Sequence, residues 1–205
     1  MADKLQLNRT FDDTSDGVDM DVPASVVTSE TVYTGAIFSV EDRRVALTRN
    51  DGGTTTIRRQ VIHHAPCVVM LVHDTVRDTY LVEREYRAGS NMYAVGLPAG
   101  LIDGEEDPEH AALRELREET GVVPQSDGAI RFDHVGDWYS SEGMTDELAH
   151  IYVLHLDAWT REHCEFDADE HVESAWVDWE QLRAMPITAS NSMIAILHEQ
   201  IRRIS

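Results

Sequence analysis

The segment from Gly100 to Val122 constrains this chain more than any other. Asp107 is a residue type that caps helix N-termini, Pro108 suits a first helical position, and Gly121 suits the left-handed position just past a last turn. Residues 107–120 therefore read as a helix with two unlike faces. Ala112, Leu113 and Leu116 form a face that can bury against a sheet. Glu115, Glu118 and Glu119, at i, i+3 and i+4, form the other. Three carboxylates on one face repel, so the helix needs positive charge among them. Hard divalent cations are natural partners for oxygen ligands of this kind. Arg114 is placed to reach Glu118, and Glu106 just ahead of the helix can join the cluster directly or through water. Taken alone, such a charge run is more often a solvated helix face.

The rest of the chain supplies a sheet for that helix. Residues 30–47 alternate and are rich in Val, Tyr, Ile and Phe. Asn50-Asp51-Gly52-Gly53 signals a turn, and Thr54–Ile62 reads as the return strand of a hairpin. Cys67–His73 is an apolar run of buried-strand character, followed by a polar turn over 73–78. Further strands are expected at 79–86, 92–97, 130–136, 149–156 and 174–178. Helices are expected from Trp179, interrupted by Pro186, and over 190–204, with apolar residues at 193, 194, 196, 197 and 201. Strands joined by long connections and three helices point to a layered α/β domain. The sequence divides into residues 1–28, an acidic tail without periodicity, expected to be mobile; 29–62, an N-terminal strand region; and 63–205, the main domain.

Charge and length exclude several roles. The 205 residues carry a formal net charge of −21. That argues against a nucleic-acid or anionic-membrane partner, since both demand basic surface. No apolar run approaches the roughly 20 residues needed to span a bilayer, and the first 22 residues lack a basic head followed by an apolar middle. The expectation is a cytoplasmic protein. Cys67 and Cys164 lack metal-ligand spacing and read as two buried free thiols.

The whole span from Gly100 has a fixed pattern: Gly100, five residues, Glu106, seven residues, Arg114-Glu115-Leu116, one residue, Glu118-Glu119, one residue, Gly121-Val122. It resembles the Nudix box at every fixed position, and so many matched sites make chance an unsatisfactory explanation. The resemblance implies a Nudix α/β/α sandwich around a mixed sheet, here with an N-terminal strand extension. It implies hydrolysis of a nucleoside diphosphate linked to another moiety. It also implies Mg2+, or Mn2+, held by Glu115, Glu118, Glu119 and the backbone carbonyl of Ala99. Such ions neutralise phosphate oxygens and lower the pKa of a bound water.

Five further segments resemble the ADP-ribose pyrophosphatase branch of that family, in order: Thr34–Val40, Glu85-Tyr86-Arg87, Leu97–Asp103, Gly143–Glu147 and Asn191–Ala195. The resemblance implies Phe38 stacked on adenine, Arg58 or Arg59 on the base or phosphates, and Arg87 near the diphosphate. For each of these the plain alternatives, a surface ion pair or an ordinary strand residue, stay open. It implies a homodimer with exchanged N-terminal strands, and a general base from residues 166–173, with Glu170 first and Asp169 second. His163 and His171 are not expected as ligands in an oxygen-ligand site. Three departures stand out: Gly96 where the branch has glutamate before Leu-Pro-Ala-Gly, Glu142 where many members have proline, and a longer stretch over 123–134. ADP-ribose is the leading substrate. Nucleotide sugars, dinucleotides, oxidised nucleoside triphosphates and a non-catalytic nucleotide-binding regulator are the alternatives.

Overall fold

The structure is a computed structural model and describes residues 16–164 and 171–205. It divides into two compact units, Met1–His63 and His64–Ser205.

The first unit holds a sheet of order β1-β2-β3, with β1 Ser25–Thr34, β2 Phe38–Thr48 and β3 Thr54–His64. The expected turn joins β2 to β3. Gly52 takes a left-handed φ of 81°, and the Gly52 N–H donates to the Arg49 carbonyl at 2.9 Å. β1 begins ahead of the patterned region seen in the sequence, and Val18 forms an isolated bridge to Arg49. The acidic residues around Val18 mask that pairing in a search for periodicity.

The second unit is an α/β/α sandwich. Its mixed sheet runs β12-β5-β4-β10-β9, with β6 added to β5 and β7 to β4 among the described residues. The strands are β4 Cys67–Asp74, β5 Thr79–Arg87, β6 Met92–Gly96, β7 Ala99–Leu101, β9 Ile130–Tyr139, β10 Leu148–Leu156 and β12 Glu173–Asp178. β4 and β10 are parallel, while β5, β7 and β9 join them antiparallel. Every residue of β4 is buried, as a central strand covered on both faces requires. Its side chains alternate between two cores. Val68, Met70 and Val72 pack with Ala111, Ala112 and Leu116 of α1, Pro108–Thr120. Cys67, Val69 and Leu71 pack with Leu182 of α2, Trp179–Ala184, and with Ala195 and Ile196 of α3, Ser190–Ile204. Two three-residue strands, β8 Val122–Pro124 and β11 Trp159–Arg161, pair apart from the main sheet. No helix among the described residues is long and apolar enough to cross a membrane.

Helix α1 is built as its sequence dictates. Asp107 Oδ1 accepts from the Glu109 N–H at 3.0 Å, Pro108 opens the helix, and Gly121 closes it at φ 70°. A Cβ at Gly121 would meet the Glu162 carbonyl oxygen at 2.3 Å, so glycine is needed for space as well as for φ. Ala111 joins Ala112 and Leu116 on the buried face, while Leu113 is only half-buried. Burying Leu116 fully contributes about 2 kcal/mol.

Helix α3 turns Met193, Ile194 and Ile196 of its expected apolar face to the core and departs from that face elsewhere. Its buried residues are Ser192, Ala195, Ile196 and Glu199, while Leu197 and Ile201 are exposed. Hydrogen bonds cause the departure: the Tyr80 hydroxyl donates to Glu199, and Arg202 binds the same carboxylate at 2.6 Å. His73 is likewise a buried strand residue and not part of a turn. It stacks on Tyr80 at 4.6 Å, and its Nε2 lies 3.0 Å from Asp78. Its Nδ1 faces His155 Nδ1 at 3.1 Å. Cys67 is buried, and burial with Glu147 nearby pushes its thiol up to about 12; Cys164 is half-exposed, contrary to expectation.

Burial, with Arg131 and Arg202 adding to it, pushes His155 down to about 4 from an ordinary 6.5. The unfolded chain therefore takes up this proton first. Stability should fall as pH drops from about 6.5 towards 4 and be unaffected above that range. His155→Asn keeps a polar group towards His73 but cannot titrate. Thermal melts at about pH 7.5 and about pH 5 should show the variant losing less stability than the wild type, by on the order of 1–3 kcal/mol. An equal loss in both proteins would refute this.

Candidate active site

The site lies where β5, β7 and α1 meet. Along β5, alternate residues share a face, so Leu81, Glu83, Glu85 and Arg87 follow one another on the α1 side. Leu81 belongs to the α1-side core, and the next three carry charge. β7 runs antiparallel to β4 and sets Ala99 opposite Val69 and Gly100 opposite Val68. This brings Gly100 beneath α1. A Cβ there would sit 1.9 Å from Glu115 Cδ and 2.3 Å from its Oε1. Gly100 is thus the floor on which the Glu115 side chain rests.

The helix carboxylates are handled in two ways. Arg114 gathers Glu106, Glu115 and Glu118: its Nη1 lies 2.7 Å from Glu115 and 3.1 Å from Glu118, and its Nη2 lies 2.9 Å from Glu106. The same Nη2 donates to the Leu101 carbonyl at 2.9 Å. Sequence spacing anticipates the Glu118 contact; the Glu106 and Leu101 contacts need the segment before the helix to fold back. These carboxylates hold the Arg114 guanidinium charged, and Arg114 with burial opposing holds Glu106 below its ordinary value.

Glu119 has no such partner. It is 7% exposed, and its neighbour is Glu83 of β5, 4% exposed, whose carboxyl is hydrogen-bonded to it. Glu83 Oε1 and Glu119 Oε2 are buried and have no hydrogen-bond partner. Burial pushes both carboxyls upward; Glu85 adds to this at Glu83, while Glu83 and Glu115 add to it at Glu119. Two buried carboxyls this close favour the protonated form over a second charge. The Ala99 backbone also hydrogen-bonds Glu119 and favours its charged form. An all-oxygen donor set with two orphaned buried oxygens fits a hard divalent cation.

Among the remaining expected site residues, Arg87 lies on the same β5 face and is ion-paired with Glu85. Asp146 accepts from the His64 N–H at 3.0 Å, which fixes the loop containing Glu142; Glu142 itself is exposed. Phe38, Arg58 and Arg59 belong to the first unit. Phe38 is 40% exposed with its ring 5.5 Å from Tyr33, Arg58 is bound to Asp42 at 2.9 Å, and Arg59 donates to the Arg58 carbonyl at 2.9 Å. Glu170, with Asp169, lies outside the described residues. Glu83 was missed in the sequence. Its signal was the pair of acids at Glu83 and Glu85, spaced by two and so on one face of the strand.

Comparison with known proteins places this geometry in a family. The NUDIX domain model matches residues 63–199. An ADP-ribose pyrophosphatase of Bacillus subtilis is 27% identical over 147 residues, covering 72% of this chain and 74% of its own. One from Mycobacterium tuberculosis is 34% identical over 128 residues, 62% of this chain and 57% of its own. A methanol dehydrogenase activator of Bacillus methanolicus is 26% identical over 181 residues, 86% and 92% of the two chains. A solved structure described as an ADP compounds hydrolase shares the fold at a TM-score of 0.67 and 22% identity, covering 90% of this chain and 97% of its own. The chain belongs to the Nudix family and is a Nudix pyrophosphohydrolase. Within that family its similarity is to the ADP-ribose pyrophosphatase branch.

Gly100→Ala tests the floor of the site. The added methyl must displace Glu115, and misplacing a group at a reacting centre by about 1 Å costs about 100-fold in rate. Turnover should fall by roughly that factor while the melting temperature changes little. Unchanged turnover would show that the Glu115 position does not matter.

Proposed function

We propose that the protein hydrolyses ADP-ribose to AMP and ribose 5-phosphate with Mg2+, or Mn2+, as its cation. The observation that carries the cation is the buried, unpartnered oxygen of Glu119 beside a set of carboxylates that offers only oxygen ligands. The similarity to two ADP-ribose pyrophosphatases supports the substrate.

In this reading Glu115, Glu118, Glu119 and the Ala99 carbonyl hold the cation. When bound, a divalent ion neutralises phosphate oxygens and makes water a better nucleophile. Arg114 positions the machinery: it holds Glu115 and Glu118 by one nitrogen and Glu106 by another, so three side chains keep a fixed geometry. Arg87 binds the diphosphate by exchanging Glu85 for a phosphate oxygen, a charge-assisted contact of about 1.5–3 kcal/mol. Glu170 takes the proton from the attacking water. A second reading, another nucleoside diphosphate-linked compound, is favoured by Gly96 and Glu142, which differ from the branch pattern.

A substrate panel with Mg2+, read by product mass, separates these. ADP-ribose should give AMP and ribose 5-phosphate with a higher kcat/KM than nucleoside triphosphates or dinucleotides. Chelator should abolish turnover, and Glu119→Gln should lower it at least about 100-fold with the fold intact. Preference for a triphosphate or dinucleotide selects the second reading. Near-normal turnover of the variant, or full activity in chelator, overturns the role of the cation.

The proposal includes a homodimer. All ten residues of β1 are exposed, it is an edge strand, and it displays Val26, Val27, Val32 and Tyr33 to solvent. A long, apolar edge strand is a surface that another chain covers. Light scattering at micromolar concentration should give twice the 23.1 kDa chain mass. A mass of one chain refutes the dimer.

A further inference from the structure

Among the described residues, the buried carboxyl groups are Asp74, Glu83, Glu119 and Glu199. Asp74 and Glu199 are furnished with donors. Asp74 accepts from the Val76 and Arg77 N–H groups, each at 3.0 Å, from Trp159 Nε1 at 2.9 Å and from Arg77 Nη1 at 2.6 Å. Glu199 accepts from Tyr80 and Arg202. Glu83 and Glu119 have each other, a backbone contact at Glu119 from Ala99, and one orphaned oxygen apiece. The nearby guanidiniums are committed to other acids: Arg114 to Glu106, Glu115 and Glu118, and Arg87 to Glu85.

A purely structural account of Glu83 fails on this comparison. Its neighbours along the strand, Leu81 and Val82, pack in the cores, and a valine at 83 would fill the site without burying a charge beside Glu119. Its register partner across the strand pair is Gly96. That is the position where the branch pattern has a glutamate and this chain has none. Space is not the reason for Gly96, because a Cβ there would meet only Ser192 Oγ, at an ordinary 3.8 Å.

We propose that Glu83 is a further cation-holding residue of this enzyme, pairing with Glu119 across the β5–α1 junction to take a hard divalent ion with both buried carboxylates. The inference rests on the reading of the site as a cation site. It differs from that reading in assigning a ligand from outside the helix, on a strand the Nudix box does not include.

Direct Mn2+ binding to the full-length protein tests it, followed by the electron paramagnetic resonance signal of free Mn2+ in the wild type and Glu83→Gln. Melting temperatures are measured with and without Mn2+. Glutamine keeps size and hydrogen bonding to Glu119 but removes the charge. The variant should bind Mn2+ at least tenfold more weakly or lose one bound ion. Without metal it should melt no lower than the wild type, and Mn2+ should raise its melting temperature less. Equal affinity and stoichiometry in the two proteins overturns the proposal and leaves the cation site itself intact. If the wild type binds no Mn2+, the cation reading fails and the inference fails with it. Should Glu83→Gln fold poorly, Glu83→Val gives the same comparison, with the same outcomes deciding.

Discussion

The repulsion among carboxylates at the junction of α1, β5 and β7 is the constraint that organises this enzyme. Glu83, Glu85, Glu106, Glu115, Glu118 and Glu119 converge there, opposed by Arg87 and Arg114. The fold holds this arrangement because the opposite face of α1 is anchored independently. Ala111, Ala112 and Leu116 bury against β4, and the Asp107 and Gly121 caps fix both ends of the helix. Hydrophobic burial and capping together contribute several kcal/mol, enough to keep the acids in place against their repulsion.

Arg114 divides that cluster. A guanidinium can bind carboxylates in a planar fork, which a lysine cannot, and here the fork spans the loop acid Glu106 and the helix acids Glu115 and Glu118. Glu119 is left on the sheet side, where burial and Glu83 raise its affinity for a proton. A group held in this state has an unmet demand for positive charge. A surface acidic helix makes no such demand, since water satisfies each carboxylate. Burial of Glu119 therefore distinguishes this site from the solvated face that its spacing alone would allow.

Legibility in the sequence followed the range of the interactions. Helix α1 and its caps are set by contacts within a few residues, and so is the Asn50–Gly53 turn; all were readable. The central strand β4 was readable because burial on both faces demands a continuous apolar run. The three-residue strands β7, β8 and β11 carry too little pattern to be seen, since their pairing comes from distant partners. Helix α3 was placed to the residue and its face read at Met193, Ile194 and Ile196, but not at Glu199, which Tyr80, 119 positions earlier in the chain, holds inside by a hydrogen bond. The candidate site divides in the same way. Glu115, Glu118 and Glu119 share a face by helical spacing, whereas Glu83 meets them only once the sheet forms.

Buried carboxyls in this fold fall into two conditions, and the difference has physical content. On the α3 side burial opposes the charge of Glu199, but Arg202 and the Tyr80 hydroxyl outweigh it and hold the carboxyl below its ordinary value. Asp74 is in the same condition through Trp159 and Arg77. Such groups are complete, and an added ion would gain little from them. On the α1 side the shifts run the other way for Glu83 and Glu119, with burial as the leading cause at both. A fold able to complete its buried carboxylates at two places, and leaving two adjacent ones incomplete where its helix acids gather, carries a local deficit of positive charge. A divalent ion bound there would remove that deficit with one particle serving both carboxylates. For a chain of net charge −21 that acts on an anionic diphosphate, a cation held at this deficit would reverse the local field where long-range charge repels.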